Sequence, residues 1–132
     1  MQAQLVSKPA LSIAGMKIRT ARMSPAIPQL WGEFATRIHT IDAIAEPHVS
    51  YGVMGRYEED MGGMDYMAGV SVENTEELPE GMTTWEISAH TYAVFEATLP
   101  TLGETFGQVY NSWLPASDYQ AVPDFCFERY PE

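Results

Sequence analysis

The chain has 132 residues, 45% of them hydrophobic, enough apolar material for one domain spanning 1–132 to bury a core without staples. Eighteen acidic against seven basic residues give a formal charge of -11, which repels a phosphate backbone, so no direct nucleic-acid binding is expected. The single cysteine, Cys126, excludes an internal disulfide, no stretch reaches the ~20 apolar residues of a membrane span, and residues 1–13 lack the order of a secretory signal. A soluble, cytoplasmic protein without membrane contact is the expectation.

In chain order, residues 5–20 read as an extended segment whose alternation through Leu11 and Ile13 slips at Gly15 before Met16 and Ile18, which predicts a bulge there. Ser24-Pro25 sets a cap residue before a proline, and Ile27, Leu30, Trp31, Phe34 and Ile38 follow at helical spacing, which predicts an amphipathic helix. Val49, Tyr51 and Val53 alternate as a strand. The acidic, glycine-rich run Glu58-Glu59-Asp60-Met61-Gly62-Gly63 is a turn, and Tyr66, Ala68, Val70 and Val72 return as the second strand of an antiparallel hairpin. A polar connection over 73–81 leads to a strand at 83–88 and a β-rich run over 90–98. Thr101-Leu102-Gly103-Glu104 has the form of a capping box, and Leu102, Phe106, Val109, Tyr110, Trp113 and Leu114 keep helical spacing until Pro115, which should end the helix.

The closing strand, within 122–131, sets Cys126, Glu128 and Tyr130 on one face and Phe125, Phe127 and Arg129 on the other. A buried carboxylate needs a partner or it neutralises. For Glu128 the candidates are a salt bridge to Lys17 or Arg19, a tyrosine hydroxyl or backbone amide, or a bound cation. The two halves of the chain also share an order of strand, capped helix and strand, with Trp31 corresponding to Phe106, a weak repeat suggesting duplicated units with a cleft between them.

The runs Tyr51-Gly52-Val53, Tyr66-Met67-Ala68-Gly69-Val70, Pro79-Glu80-Gly81-Met82, Tyr92-Ala93-Val94-Phe95, Trp113-Leu114-Pro115 and Phe127-Glu128-Arg129-Tyr130 together resemble the GyrI-like effector-binding domains. These occur alone, on mobile gene cassettes among other places, and fused to AraC-type and MerR-type multidrug regulators. The resemblance covers nearly the whole chain. It implies an α+β fold of duplicated β-α-β-β halves forming an antiparallel sheet with two main helices and a ligand cleft between the halves. It also implies lipophilic cations held in an aromatic pocket with a glutamate at its base, and Glu128 is the matching residue. His90, where the family often has glycine, and Cys126, where an aliphatic or polar residue is common, depart from the pattern.

Elementary physics agrees with such a pocket: a carboxylate in low dielectric attracts a weakly hydrated organic cation, and ring faces add about 0.5 to 2 kcal/mol each. Glu128, Tyr66, Tyr51, Trp85, Trp31, Tyr130 and Met54 are the candidate lining residues, with Tyr92 and Trp113 assigned to the core. Met54, Met64 and Met67 either adapt the lining to differently shaped ligands or fill gaps in the core.

Two other functions carry sequence features. Hydrolysis of strained cyclopropane rings, known among relatives of the family, would use Glu128 with Tyr66 in acid/base work. A protein-binding modulator of a topoisomerase would use the acidic turn at 58–60. No cofactor is expected, because there is no phosphate loop and His39, His48 and His90 are scattered without metal-ligand spacing. Any role in transcription would need a separate regulatory protein as partner.

Overall fold

The computed structural model describes residues 3–21, 24–56, 63–121 and 125–131; the acidic turn expected at 58–63 lies, apart from Gly63, outside them. Strands β1 (Gln4–Lys8) and β2 (Leu11–Thr20) replace the single extended segment expected over 5–20. The break falls at Pro9-Ala10, where proline has no amide to donate to a ladder. Gly15 forms no bulge: Ala14, Gly15 and Met16 pair in unbroken register with Val70, Gly69 and Ala68. It permits a close approach instead, since a Cβ there would lie 2.0 Å from the Ala68 carbonyl oxygen.

Helix α1 (Ala26–Arg37) begins where Ser24-Pro25 directs it, with the Ser24 hydroxyl accepting from the Ala26 amide at 3.1 Å, and it passes into a 3-10 turn at Ile38–Thr40. The predicted hairpin is β3 (Val49–Gly55) with β4 (Met64–Val72), and β5 (Thr83–Ile87) and β6 (His90–Val94) follow. The second helical stretch is capped three residues before the expected cap. Thr98 and Thr101 cap a 3-10 turn at Leu99–Thr101, with Pro100 preset for helical geometry, ahead of α2 (Leu102–Gln108). A wide π-turn (Val109–Trp113) then leads into α3 (Leu114–Ala116), so the stretch passes Pro115 by one residue. The last strand is β7 (Phe125–Pro131).

The chain divides into two compact units. One holds β1, β6 and the helical stretch of α2 and α3, with β1 antiparallel to β6 and Trp113 set edge-on to Phe95 and stacked on Tyr119. The other holds a five-stranded antiparallel sheet in the order β5-β2-β4-β3-β7, with α1 packed on β2 and β4. The expected halves are therefore interleaved. The order β-α-β-β is complete in β2, α1, β3 and β4, whereas the strands of the second half are dispersed: β6 pairs with β1, and β5 and β7 flank the larger sheet.

In the five-stranded unit both faces are apolar. Ala14, Ala68, Tyr66 and Val70 share the α1 face, where Leu30 and Phe34 are buried on the helix, while Ile13, Val53, Met67 and Ile87 occupy the opposite face and are fully buried. A continuous apolar run such as Met67 to Val70 is what a central strand covered on both sides requires.

Candidate functional site

Strand β7 pairs antiparallel with β3 so that Met54 faces Cys126, Gly52 faces Glu128 and Ser50 faces Tyr130. The pairing of β3 with β4 adds Tyr66 opposite Met54 and Ala68 opposite Gly52. Directly paired residues share a face, so Glu128, Tyr130, Met54 and Tyr66 all project on the side that α1 occupies.

There the carboxylate is held by hydroxyl groups. Tyr130 donates to Glu128 Oε1 at 2.5 Å, and the Tyr66 hydroxyl faces the same space over Gly52 as that carboxylate. Trp31, from α1, donates its indole N–H to the Tyr66 hydroxyl at 2.8 Å and meets the Tyr130 ring edge-on at 5.6 Å. Burial pushes the Glu128 carboxyl above the ordinary carboxylate value, against the opposing pull of the bonds from Tyr130 and Tyr66. Burial, and then the neighbouring carboxylate, push the Tyr66 and Tyr130 phenols upward too, so both remain protonated donors. Among the described residues Glu128 has no ion-pair partner. Lys17 and Arg19, the cations considered for it, pair with Asp65 at 3.8 and 3.2 Å, joined there by Arg56.

Gly52 is the residue of this site that sequence reasoning passed over. A Cβ at this position would stand 2.5 Å from the Tyr66 hydroxyl and 3.1 Å from Glu128 Oε1, so the strand leaves its side-chain space to the two polar groups. The available signal was a glycine inside an alternating strand, which marks a close approach.

Tyr51 and Trp85 are not brought to Glu128. Tyr51 pairs with Arg129 and Gly69, and Trp85 with Ile13, which places both on the opposite face by strand alternation. Tyr51 there donates to Glu46 Oε1 at 2.6 Å and packs on Phe127 at 5.5 Å. Ser71 and Arg129 also donate to Glu46, at 2.8 and 3.1 Å. Burial alone would raise the Glu46 carboxyl, but the bonds from Tyr51, Ser71 and Arg129 hold it below its ordinary value. Burial and this carboxylate push the Tyr51 phenol up to about 12. Trp85 lies under the Arg56 guanidinium, 5.8 Å from the ring centre. A separate open depression of about 370 Å³, lined among others by Ser12, Glu46, Ser71, Glu73 and Glu86, lies away from Glu128.

A family model described as integron-associated effector binding protein matches residues 4–132. The chain belongs to that family. The cassette-type effector-binding resemblance carried by the sequence runs is thereby its actual relationship. The transcriptional regulator BrlR of Pseudomonas aeruginosa is 33% identical over 134 residues, an alignment taking in 100% of this chain and 49% of BrlR, so the chain spans about half the length of that relative. Two solved structures show the fold. The integron cassette protein VCH_CASS2 of Vibrio cholerae superposes with a TM-score of 0.70 at 21% identity, covering 98% of this chain and 88% of that one. SAV2435, solved bound to tetraphenylphosphonium, superposes with a TM-score of 0.73 at 18% identity, covering 100% of this chain and 84% of that one.

Proposed function

We propose that this effector-binding protein takes hydrophobic, preferably cationic, small molecules at Glu128 and serves in the cytoplasm as a multidrug sensor or sequestering module. The observation that carries the reading is a half-buried carboxylate whose hydrogen-bond partner among the described residues is the Tyr130 hydroxyl, with no cation beside it. Such a group is expensive to keep in a fold, and an organic cation would supply the missing charge. Tyr130 and Trp31, both half-buried, set rings next to the carboxylate, and Tyr66 and Met54 lie on the same face. Family membership supports an effector ligand, and the tetraphenylphosphonium held by SAV2435 supports the choice of a delocalised cation as the class to try first.

Titration with tetraphenylphosphonium, followed by tryptophan fluorescence, tests this. Trp31 is bonded to Tyr66 and touches Tyr130, so its emission should change as the site fills. Saturable binding is expected, weakened about 100-fold in Glu128→Gln, on the order of the 3 kcal/mol that a unit charge at ~5 Å contributes at an effective dielectric of about 20. Equal affinity in the two proteins would remove the charge role.

A further inference from the structure

The proton on the Tyr66 hydroxyl has its direction set by Trp31. An indole N–H donates and never accepts, so at 2.8 Å from Trp31 Nε1 the Tyr66 oxygen must be the acceptor. A phenol has one proton, which is then left for its other neighbour, the Glu128 carboxylate, whose Oε1 faces the same space over Gly52 as the Tyr66 hydroxyl does. Gly52 keeps that line open, because any Cβ there would press within 2.5 Å of the Tyr66 oxygen. Chains of this kind also polarise, each bond strengthening the next.

Resting on the reading of Glu128 as a cation site, we propose that Trp31 and Gly52 are positioning residues. They hold Tyr66 as a fixed donor to Glu128, favour the charged carboxylate in its half-buried place, and so set the pH above which the site accepts a cation. The groups facing Glu128 agree with this assignment. Strand β4 contributes Tyr66, β7 contributes Tyr130 and Cys126, β3 contributes Gly52 and Met54, and α1 contributes Trp31. The charged residues of α1 are engaged elsewhere: Glu33 is exposed, and Arg37 bonds the Glu80 carbonyl.

The test is a mutant cycle read on the ligand-free protein. The titration midpoint of Glu128, followed by the carboxyl carbon resonance in the wild type, Trp31→Phe, Tyr66→Phe and the double variant, should move upward in each single variant. The move should be larger for Tyr66→Phe, and Trp31→Phe should add nothing once Tyr66 is phenylalanine. Trp31→Phe keeps a ring against Tyr130, so folding is preserved, and Gly52→Ala is a further variant expected to move the midpoint upward.

An unchanged midpoint in Trp31→Phe overturns the proposal. So does a downward move, as water replacing the indole would give, or an equal effect of Trp31→Phe with and without the Tyr66 hydroxyl. Tetraphenylphosphonium titrations of the same proteins separate this inference from the functional reading. Upward midpoints with Glu128-independent binding would sink only the function, and unmoved midpoints with Glu128-dependent binding would sink only the positioning role. If both hold, affinity at a pH below the wild-type midpoint should fall about tenfold in Tyr66→Phe, the worth of one hydrogen bond to a charged group.

Discussion

Glu128 destabilises the fold that carries it. Its carboxyl is pushed up by burial, so the native protein holds the proton more tightly than the unfolded chain does. Stability from this group therefore falls as pH rises through the window between the ordinary value of 4.5 and the raised folded value, and the full deficit persists above it. Glu128→Gln should accordingly unfold a few degrees higher than the wild type at pH 7 in a thermal melt, with the difference closing below pH 4.5. Gly52→Ala acts by crowding: the added methyl must displace the Tyr66 hydroxyl or Glu128, and urea unfolding should register a loss of about 1–3 kcal/mol. Alternation around Glu128 already put Tyr130 beside it. Trp31 was named for the same pocket from the sequence, whereas Gly52 was not, because its approach depends on strands that meet only in three dimensions.

Among the elements, α1 and β3 do most to build the site. Helix α1 is anchored by Phe34, 1% exposed, and Leu30, 5% exposed, and it presents Trp31 from the adjoining part of the same face. Phe34→Ala should cost about 3–5 kcal/mol in chemical denaturation, and by loosening the helix it should also weaken the Trp31 bond to Tyr66. On the far side of the sheet, Glu46 ties β3, β4 and β7 together through Tyr51, Ser71 and Arg129. Its lowered carboxyl gives stability that is present above 4.5 and lost as pH falls through the folded value. Acid unfolding followed by circular dichroism should thus be less steep in Glu46→Gln, which also begins from a less stable state at neutral pH. The helix and the hairpin were plain from spacing. The bulge expected at Gly15 was not there, because a glycine interrupting a pattern signals either extra length or close approach, and the facing Gly69 decided for approach.

For the molecule as a whole, the charge of -11 creates a field that draws cations toward the protein before any specific contact forms. Raising the salt from about 0.01 M to about 0.15 M shortens the screening length from about 30 Å to about 8 Å, so the association rate of tetraphenylphosphonium in stopped flow should fall while its dissociation rate changes little. The strand exchange matters at this scale too. β5 and β7, distant in the chain from β2 and β3, complete the larger sheet, and the site on β7 exists only once that long-range pairing has formed.

Local spacing was enough to establish that α1 is amphipathic, that β3 and β4 form a hairpin, and that Glu128 and Tyr130 share a face, since these follow from periods of 3.6 and 2 in a backbone that knows only its own neighbours. Packing alone established the rest. The register of β7 on β3 brought Glu128 opposite Gly52 and within reach of Tyr66, Asp65 drew off the cations that were candidates for it, and α1 covered that face of the sheet. Register and partner choice are set by side chains tens of residues apart competing for the same contacts, and a linear pattern holds no record of which of them wins.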